Sequence, residues 1–178
     1  MDPDRTLVKL AKRGNRAAFG KLVLRYQDRI LNLAYDFLRD YESARDVAQD
    51  VFVKSWRNIR DFEEKSKFSS WLYRIAINTC LDAQKKRQKN RGASIVDQNL
   101  DNSELLINQP DHIETIDDEL TAALNHLSQN QRTAVILRYF HDKSVHDIAE
   151  VIDCSDATVR IHLHRAIQTL DTLLNRRT

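Results

Sequence analysis

The twenty-two residues from Ser144 to Arg165, SVHDIAEVIDCSDATVRIHLHR, admit few folds. Ser144 stands where a helix N-cap should, with Asp147 three residues on in the second position of a capping box. Val145, Ile148, Ala149 and Ile152 recur at helical spacing and make the inner face of a short helix. Asp153-Cys154-Ser155 interrupts that period, and Ser155 offers a second cap. Beyond it Val159, Leu163, Ala166, Ile167 and Leu170 form one apolar stripe. Ala157, Ile161, His164, Arg165 and Gln168 fall outside it, with Arg160 flanking them. Two short helices across a three-residue turn, the second with outward cations, follow the plan of a helix-turn-helix whose second helix enters a major groove. A plain helical hairpin shares the apolar spacing, but it does not require two caps, so short a turn and an outward Arg pair together.

The rest of the chain agrees with a helical protein. Only three Gly and two Pro occur in 178 residues, too few for a sheet-rich fold with many tight turns. No apolar run approaches the length of a transmembrane helix, and MDPDRTLVKL lacks the apolar core of a signal peptide. Cys80 and Cys154 have neither metal-binding nor redox spacing, which fits a reduced cytoplasmic protein. Each is expected to be a small buried apolar residue.

The net charge of +2 conceals a strong asymmetry. Residues 1–92 carry a balance of +9, residues 93–119 one of −8 with no Lys or Arg, and residues 120–178 one of +1. A basic first block points to nucleic acid.

Local patterns divide the chain accordingly. Asp2-Pro3 reads as a helix start and Gly14 as its stop. Phe19, Leu22, Tyr26, Ile30, Leu33 and Phe37 mark a long amphipathic helix. A third helix follows Asp40, with Ala44, Val47, Ala48, Val51, Phe52 and Ser55 on one side. Arg60 to Lys67 is aperiodic and reads as a loop, and a fourth helix runs from near Phe68 into the basic tail that ends around Gly92. From Ala93 to about Ile116 the composition is that of a flexible, self-repelling acidic linker. Helical spacing resumes at Asp117, and Ser128 with Gln131 forms another capping box before Val135, Ile136 and Tyr139. The expected fold is all-α: a helical domain over 1–92, a linker over 93–116, and a second helical domain over 117–178 that contains the helix-turn-helix.

On the fourth helix Trp71, Arg74, Asn78, Asp82, Lys85 and Lys89 share one stripe, while Phe68, Leu72, Ile75, Ala76 and Thr79 share another that can face a core. An aromatic ring, an amide and a row of cations suit unpaired nucleic acid: bases stack on the ring, the amide reads a base edge, and the cations follow the backbone. On its own, Trp71 fits a core position equally well. The third helix carries Asp46, Gln49, Asp50, Val53 and Arg57 opposite its apolar face, and a lone exposed valine there needs no special explanation. Neither a Gly-rich phosphate loop nor a metal-binding His pair nor a nucleophile motif is present, so neither an enzyme nor a cofactor or metal is expected. His141 and His146 flank a loop and read as surface residues.

The segments AFGKLVLRYQDRILNLAY, ARDVAQDVFVKSW, FSSWLYRIAINTCLD and LSQNQRTAVILRYF, followed by the helix-turn-helix, occur in one order and spacing. Together they resemble the extracytoplasmic-function group of bacterial sigma factors over nearly the whole chain except the acidic segment. The resemblance implies a cytoplasmic initiation factor that binds core RNA polymerase and promoter DNA and is itself held by an anti-sigma factor. It implies that Asp46, Gln49, Asp50, Phe52 and Val53 dock on polymerase, which turns Val53 from incidental to interfacial. It further implies that Trp71, Arg74, Asn78, Lys85 and Lys89 act at the minus-ten element, with the Arg60–Ser70 loop. Ser155, Thr158, Arg160, Ile161, His164 and Arg165 would act at the minus-thirty-five element, and the acidic linker would follow the polymerase RNA channel. The chain departs from the group's usual pattern at Asp142-Lys143, Asp153-Cys154 and Ile161-His162, so its upstream element is expected to be unusual, with Ile161 suited to thymine methyls. The alternative class is a stand-alone helix-turn-helix regulator that binds duplex DNA unaided. A protein-binding adaptor, which would tolerate loss of Arg160 and Arg165, is a third.

Overall fold

The computed structural model describes residues 3–93 and 118–175, and the expected acidic linker falls, past Ala93, outside them. The described residues form eight α-helices and no strand. Helices α1 (Arg5–Lys12), α2 (Arg16–Leu38), α3 (Tyr41–Asn58) and α4 (Phe68–Ala93) make the first half, with a short 3₁₀ turn at Ile59–Asp61. Helices α5 (Asp118–Asn125), α6 (Gln129–Val135), α7 (Val145–Ile152) and α8 (Asp156–Asn175) make the second.

Caps set the boundaries. Asn15 accepts the Ala18 N–H at 3.0 Å to open α2, and Asp40 accepts that of Ser43 at 3.0 Å to open α3. Between these helices Arg39 adopts a left-handed conformation, φ 52°, and ends α2. The start of α1 differs from the Pro3 reading. Pro3 lies in a turn and the helix begins at Arg5, while the Asp4 carboxylate is buried and takes the Tyr26 hydroxyl and the Arg25 guanidinium instead of capping α1. Gly14, at φ +89°, closes α1 as expected.

Helix α2 packs against α1, α3 and α4. Leu22, Ile30, Leu33 and Phe37 of α2 meet Ala44 and Val51 of α3 and Phe68, Leu72 and Ala76 of α4, all buried. Tyr73, Ile77 and Cys80, which lie outside the expected apolar stripe of α4, are buried too. Helix α4 is therefore buried over a wider arc than one stripe, because α2, α3 and α7 all pack on it.

In the second half Ser128 and Gln131 close the expected capping box: the Gln131 N–H donates to Ser128 Oγ at 3.4 Å, and the Ser128 N–H to Gln131 Oε1 at 3.1 Å. Helix α6 then runs into a π turn over Ile136–Phe140 that the spacing does not predict. Ile136 and Leu137 in this wider turn are buried, and Tyr139 is exposed. Among the described residues no helix is long and apolar enough to cross a membrane.

The helix-turn-helix forms as read. The Asp147 N–H donates to Ser144 Oγ at 3.0 Å, Asp153 ends α7 in a left-handed conformation (φ 57°), and the Thr158 N–H donates to Ser155 Oγ at 3.1 Å. Ile148, Ala149, Val159, Leu163 and Ala166 are buried between the two helices and α6. Ile167 is the exception, 46% exposed despite its helical register, since the packing of α8 ends on the Leu163–Ala166 edge. Cys80 is buried as expected, whereas Cys154, carried in the exposed turn, is only half-buried.

Candidate nucleic-acid and polymerase interfaces

Three surfaces carry the residues singled out in the sequence. The first is the outer face of α3. Its inner face, Ala44, Val47, Ala48, Val51 and Ser55, is buried and orients the helix. Asp46, Gln49, Asp50 and Val53 are then exposed, and Phe52 is half-buried at the edge of the core. Asp50 pairs with Lys54 one turn on at 2.9 Å, and Val53 is 46% exposed beside them. At the N-cap, burial pushes the Asp40 carboxyl up, but hydrogen bonds from Ser43 and Arg87 outweigh it and hold the group below its ordinary value.

The second surface is the start and outer stripe of α4. Trp71 is neither core nor free: its ring leans on Phe62 (centroids 5.1 Å apart) and Phe68 (5.7 Å), and one side remains open to a cleft. Arg74, Asn78, Lys85 and Lys89 are exposed along the same line. Lys54 of α3 reaches across to Thr79 Oγ1 of α4 at 3.2 Å, which ties the two helices together.

The third surface is the outer face of α8. Arg160, Ile161, His164 and Arg165 are exposed, and Ile161 is 49% exposed. Ser155 and Thr158 share a 2.8 Å hydrogen bond at the cap, which places their hydroxyls at the helix start.

Unforeseen in the sequence is a seam joining the two halves. Lys67 Nζ lies 2.8 Å from Asp147 Oδ1, and the Ser70 hydroxyl donates to Glu150 Oε2 at 2.6 Å. Arg74 donates to the Glu150 carbonyl and stands 3.8 Å from Asp153 Oδ1. Although burial raises the Asp147 carboxyl, Lys67 and Ser144 together hold it below its ordinary value. At the other end His141 Nε2 lies 2.9 Å from Asp36 Oδ2 and its side chain is buried, which corrects its reading as a surface residue; His146 is exposed as expected. Lys143 Nζ sits 4.1 Å from the centroid of the Tyr73 ring. The sequence does contain one trace of the seam: Asp147, Glu150 and Asp153 recur every third residue.

Residues 22–90 match the family model of sigma-70 region 2, and residues 117–170 that of sigma-70 region 4. The RNA polymerase sigma-H factor of Pseudomonas aeruginosa is 37% identical over 183 residues, covering 97% of this chain and 94% of that protein. The ECF RNA polymerase sigma-E factor of Haemophilus influenzae is 32% identical over 180 residues, covering 94% and 93%. The chain belongs to the extracytoplasmic-function sigma factors.

As a sigma factor it binds core RNA polymerase and directs promoter-specific initiation of transcription, which sets the stand-alone regulator aside. The region 2 match spans α3 and the exposed stripe of α4, and the region 4 match spans the helix-turn-helix. Among solved structures, CnrH in complex with the cytosolic domain of CnrY aligns with a TM-score of 0.71 at 25% identity, covering 98% of this chain and 99% of that one. The sigma factor RpoE of Bartonella quintana, in complex with the anti-sigma factor NepR, aligns with a TM-score of 0.65 at 25% identity, covering 88% and 96%.

Proposed function

We propose that this sigma factor divides its work among the three surfaces. Asp46, Gln49, Asp50, Phe52 and Val53 on α3 dock on polymerase. Trp71, Arg74, Asn78, Lys85 and Lys89 on α4 hold the unpaired minus-ten strand. Ser155, Thr158, Arg160, Ile161, His164 and Arg165 at the start of α8 read the minus-thirty-five element in the major groove. The domains that carry these tasks are 1–92 and 117–178, with 93–116 as the linker.

The observation that supports this division most is the exposed line of α4, where a half-open Trp71 ring, a guanidinium, an amide and two lysines follow one helix face. Stacking on the ring stabilises an unpaired base, and the cations follow phosphates whatever the sequence. The α8 face combines two arginines able to contact guanine edges or phosphates with an isoleucine suited to thymine methyls. The protein acts in the cytoplasm and supplies recognition without catalysis. Its regulator is an anti-sigma factor, as for RpoE of Bartonella quintana, whose structure was solved in complex with the anti-sigma factor NepR.

Run-off transcription with core polymerase, with and without this protein, tests the reading. Specific transcripts should require the full chain. Arg160→Ala and Arg165→Ala should each weaken promoter use through the upstream element, by about 1–3 kcal/mol for a base-edge contact. Normal transcription by both variants, with upstream preference intact, would move recognition off this face of α8.

A further inference from the structure

Three guanidiniums converge on the end of α2. Arg87 donates to the Leu38 carbonyl at 3.4 Å and pairs with Asp40 at 2.5 Å. Arg132 donates through Nη2 to the Phe37 carbonyl at 2.9 Å, and Gln84 takes the same oxygen at 2.6 Å. Arg39, left-handed at φ 52°, carries the third guanidinium. The carboxylate beside it, Asp36, is committed to His141 through Oδ2 at 2.9 Å, and its Oδ1 stands 3.7 Å from Arg39 Nη2, beyond hydrogen-bond length. Acceptors at this corner are therefore used up before donors are. Arg39 Nε, Arg39 Nη2 and Arg132 Nε are buried, and among the described residues they have no hydrogen-bond partner. A guanidinium does not escape that cost by shedding its proton, because it stays charged in proteins. Burial lowers the pKa of both arginines, and Arg39 lowers that of Arg132 further, so the two cations repel.

The positions of the unmatched donors are specific. Nε and Nη2 are the two nitrogens along one edge of a guanidinium, and in Arg39 that whole edge is unmatched. Two parallel N–H groups on one edge fit two oxygens of a single oxyanion, the bidentate geometry in which arginine holds carboxylate and phosphate. In Arg132 the same edge is half used: Nη2 bonds Phe37 and Nε is left over. A carboxylate has two oxygens and matches one edge. A tetrahedral oxyanion with two oxygens on Arg39 directs others elsewhere, and one of these can serve a second guanidinium. The donor atoms are closed to solvent, which favours a compact ion over a phosphate that carries a nucleoside or a strand. The Arg39 side chain is still 18% exposed, so its stem lies at the surface, where an ion enters.

We propose that Arg39 and Arg132 form a binding site for a small tetrahedral oxyanion of the inorganic phosphate class, which bridges the end of α2 and α6. The anion takes the Arg39 edge through two oxygens and Arg132 Nε through a third. Its charge converts a repelling cation pair into a bridged one. None of the residues assigned to polymerase, to the minus-ten strand or to the minus-thirty-five element belongs to this site, so it is independent of the division of work among those surfaces.

The test uses the full chain. Its thermal unfolding midpoint is followed by circular dichroism while sodium phosphate replaces sodium chloride at constant ionic strength and near-neutral pH. Broadening of the phosphorus resonance of inorganic phosphate reports binding directly. Phosphate also stabilises proteins generally, by exclusion from their surfaces, so variants separate the two effects. Arg39→Lys and Arg132→Lys keep the charge and lose the fork. Arg45→Lys makes the same change at an exposed position of α3. Phosphate at about ten times Kd should raise the midpoint of the unaltered protein by about 3–6 °C, and the rise should saturate as for one site. Arg39→Lys and Arg132→Lys should each weaken phosphate roughly tenfold or more, since each loses a charge-assisted bond of the fork, and Arg45→Lys should not.

A rise that never saturates, or one of equal size in Arg39→Lys and Arg132→Lys, is the general salt effect and would overturn the site. Unchanged phosphorus line widths on adding the unaltered protein would overturn it too. If one variant fails to fold, the other variant and the titration of the unaltered protein still decide. Adenosine monophosphate in place of phosphate tests the occupant: binding at least about tenfold weaker supports a compact ion enclosed by the two arginines, and binding of equal strength overturns that assignment.

Discussion

Arg132 of α6 donates to the backbone carbonyl of Phe37 at 2.9 Å and lies over the ring of the same residue, 5.6 Å from its centroid. The Phe37 carbonyl belongs to the last turn of α2, where carbonyls lack intrahelical partners and the helix dipole favours a cation. Gln84 of α4 donates to the same oxygen at 2.6 Å. One carbonyl near the end of α2 thus joins three helices from both halves of the molecule.

Arg132→Ala should loosen the halves without unfolding either. The lost hydrogen bond from a charged donor and the lost ring contact oppose the relief of a desolvated guanidinium that repels Arg39, leaving a net destabilisation of about 1–2 kcal/mol. Urea unfolding followed by circular dichroism should show an earlier and broader transition. An unchanged midpoint would mean that this contact contributes nothing to holding the halves together.

Asp50→Lys should abolish co-purification with core polymerase while preserving helicity. The residue is exposed and its ion pair with Lys54 is a surface pair within α3 worth only about a few tenths of a kcal/mol. Retention of polymerase by this variant would remove the outer face of α3 from the docking site.

Trp71 and Asn78 should behave differently in promoter opening. The Trp71 ring packs on Phe62 and Phe68, so Trp71→Ala should lower stability as well as weaken opening, whereas Asn78 is exposed and Asn78→Ala should leave stability unchanged. Stacking of an unpaired base on an aromatic contributes roughly 1–3 kcal/mol. A template already mismatched across the minus-ten element removes the unpairing cost, so permanganate footprinting should show much of the Trp71→Ala defect rescued there, and less of the Asn78→Ala defect if that amide reads base identity. Equal Trp71→Ala defects on both templates would assign the ring to packing alone.

Only Cys154 should alkylate in the folded protein, and slowly. The thiolate is the reactive form. Burial pushes the Cys80 thiol up to about 12, and burial followed by the charges of Asp153 and Asp156 raises that of Cys154. The onset of Cys154 labelling should therefore lie on the alkaline side of an ordinary cysteine, and Asp153→Asn should shift it back toward neutral pH. Mass spectrometry after a pH series of iodoacetamide treatment reads both sites. Early labelling of Cys80 would mean that the first core opens readily.

Much of this protein was legible without coordinates because its strongest signals are local. The Ser128 and Ser144 capping boxes, the Ser155 cap, the inner face of α3 and the outward residues of α8 depend on neighbours three or four positions away, which a helical period encodes directly. The π turn after Val135 was not legible, because apolar spacing does not register one extra residue in a turn. Nor was Ile167, whose register is apolar but whose side chain lies beyond the reach of the neighbouring helices.

The seam was decided by tertiary structure alone. Asp36 and His141 are 105 positions apart, and Lys67 and Asp147 are 80 apart. Each of these residues taken singly reads as an ordinary solvated charge or a loop histidine. Whether a carboxylate on α7 faces water or the guanidinium of α4 depends on how the two halves are placed against each other. That placement comes from long-range packing of Tyr73, Ile77, Ile148 and Val151, all buried. No local period carries that information, because a pattern along one helix specifies which face is buried but not which partner buries it.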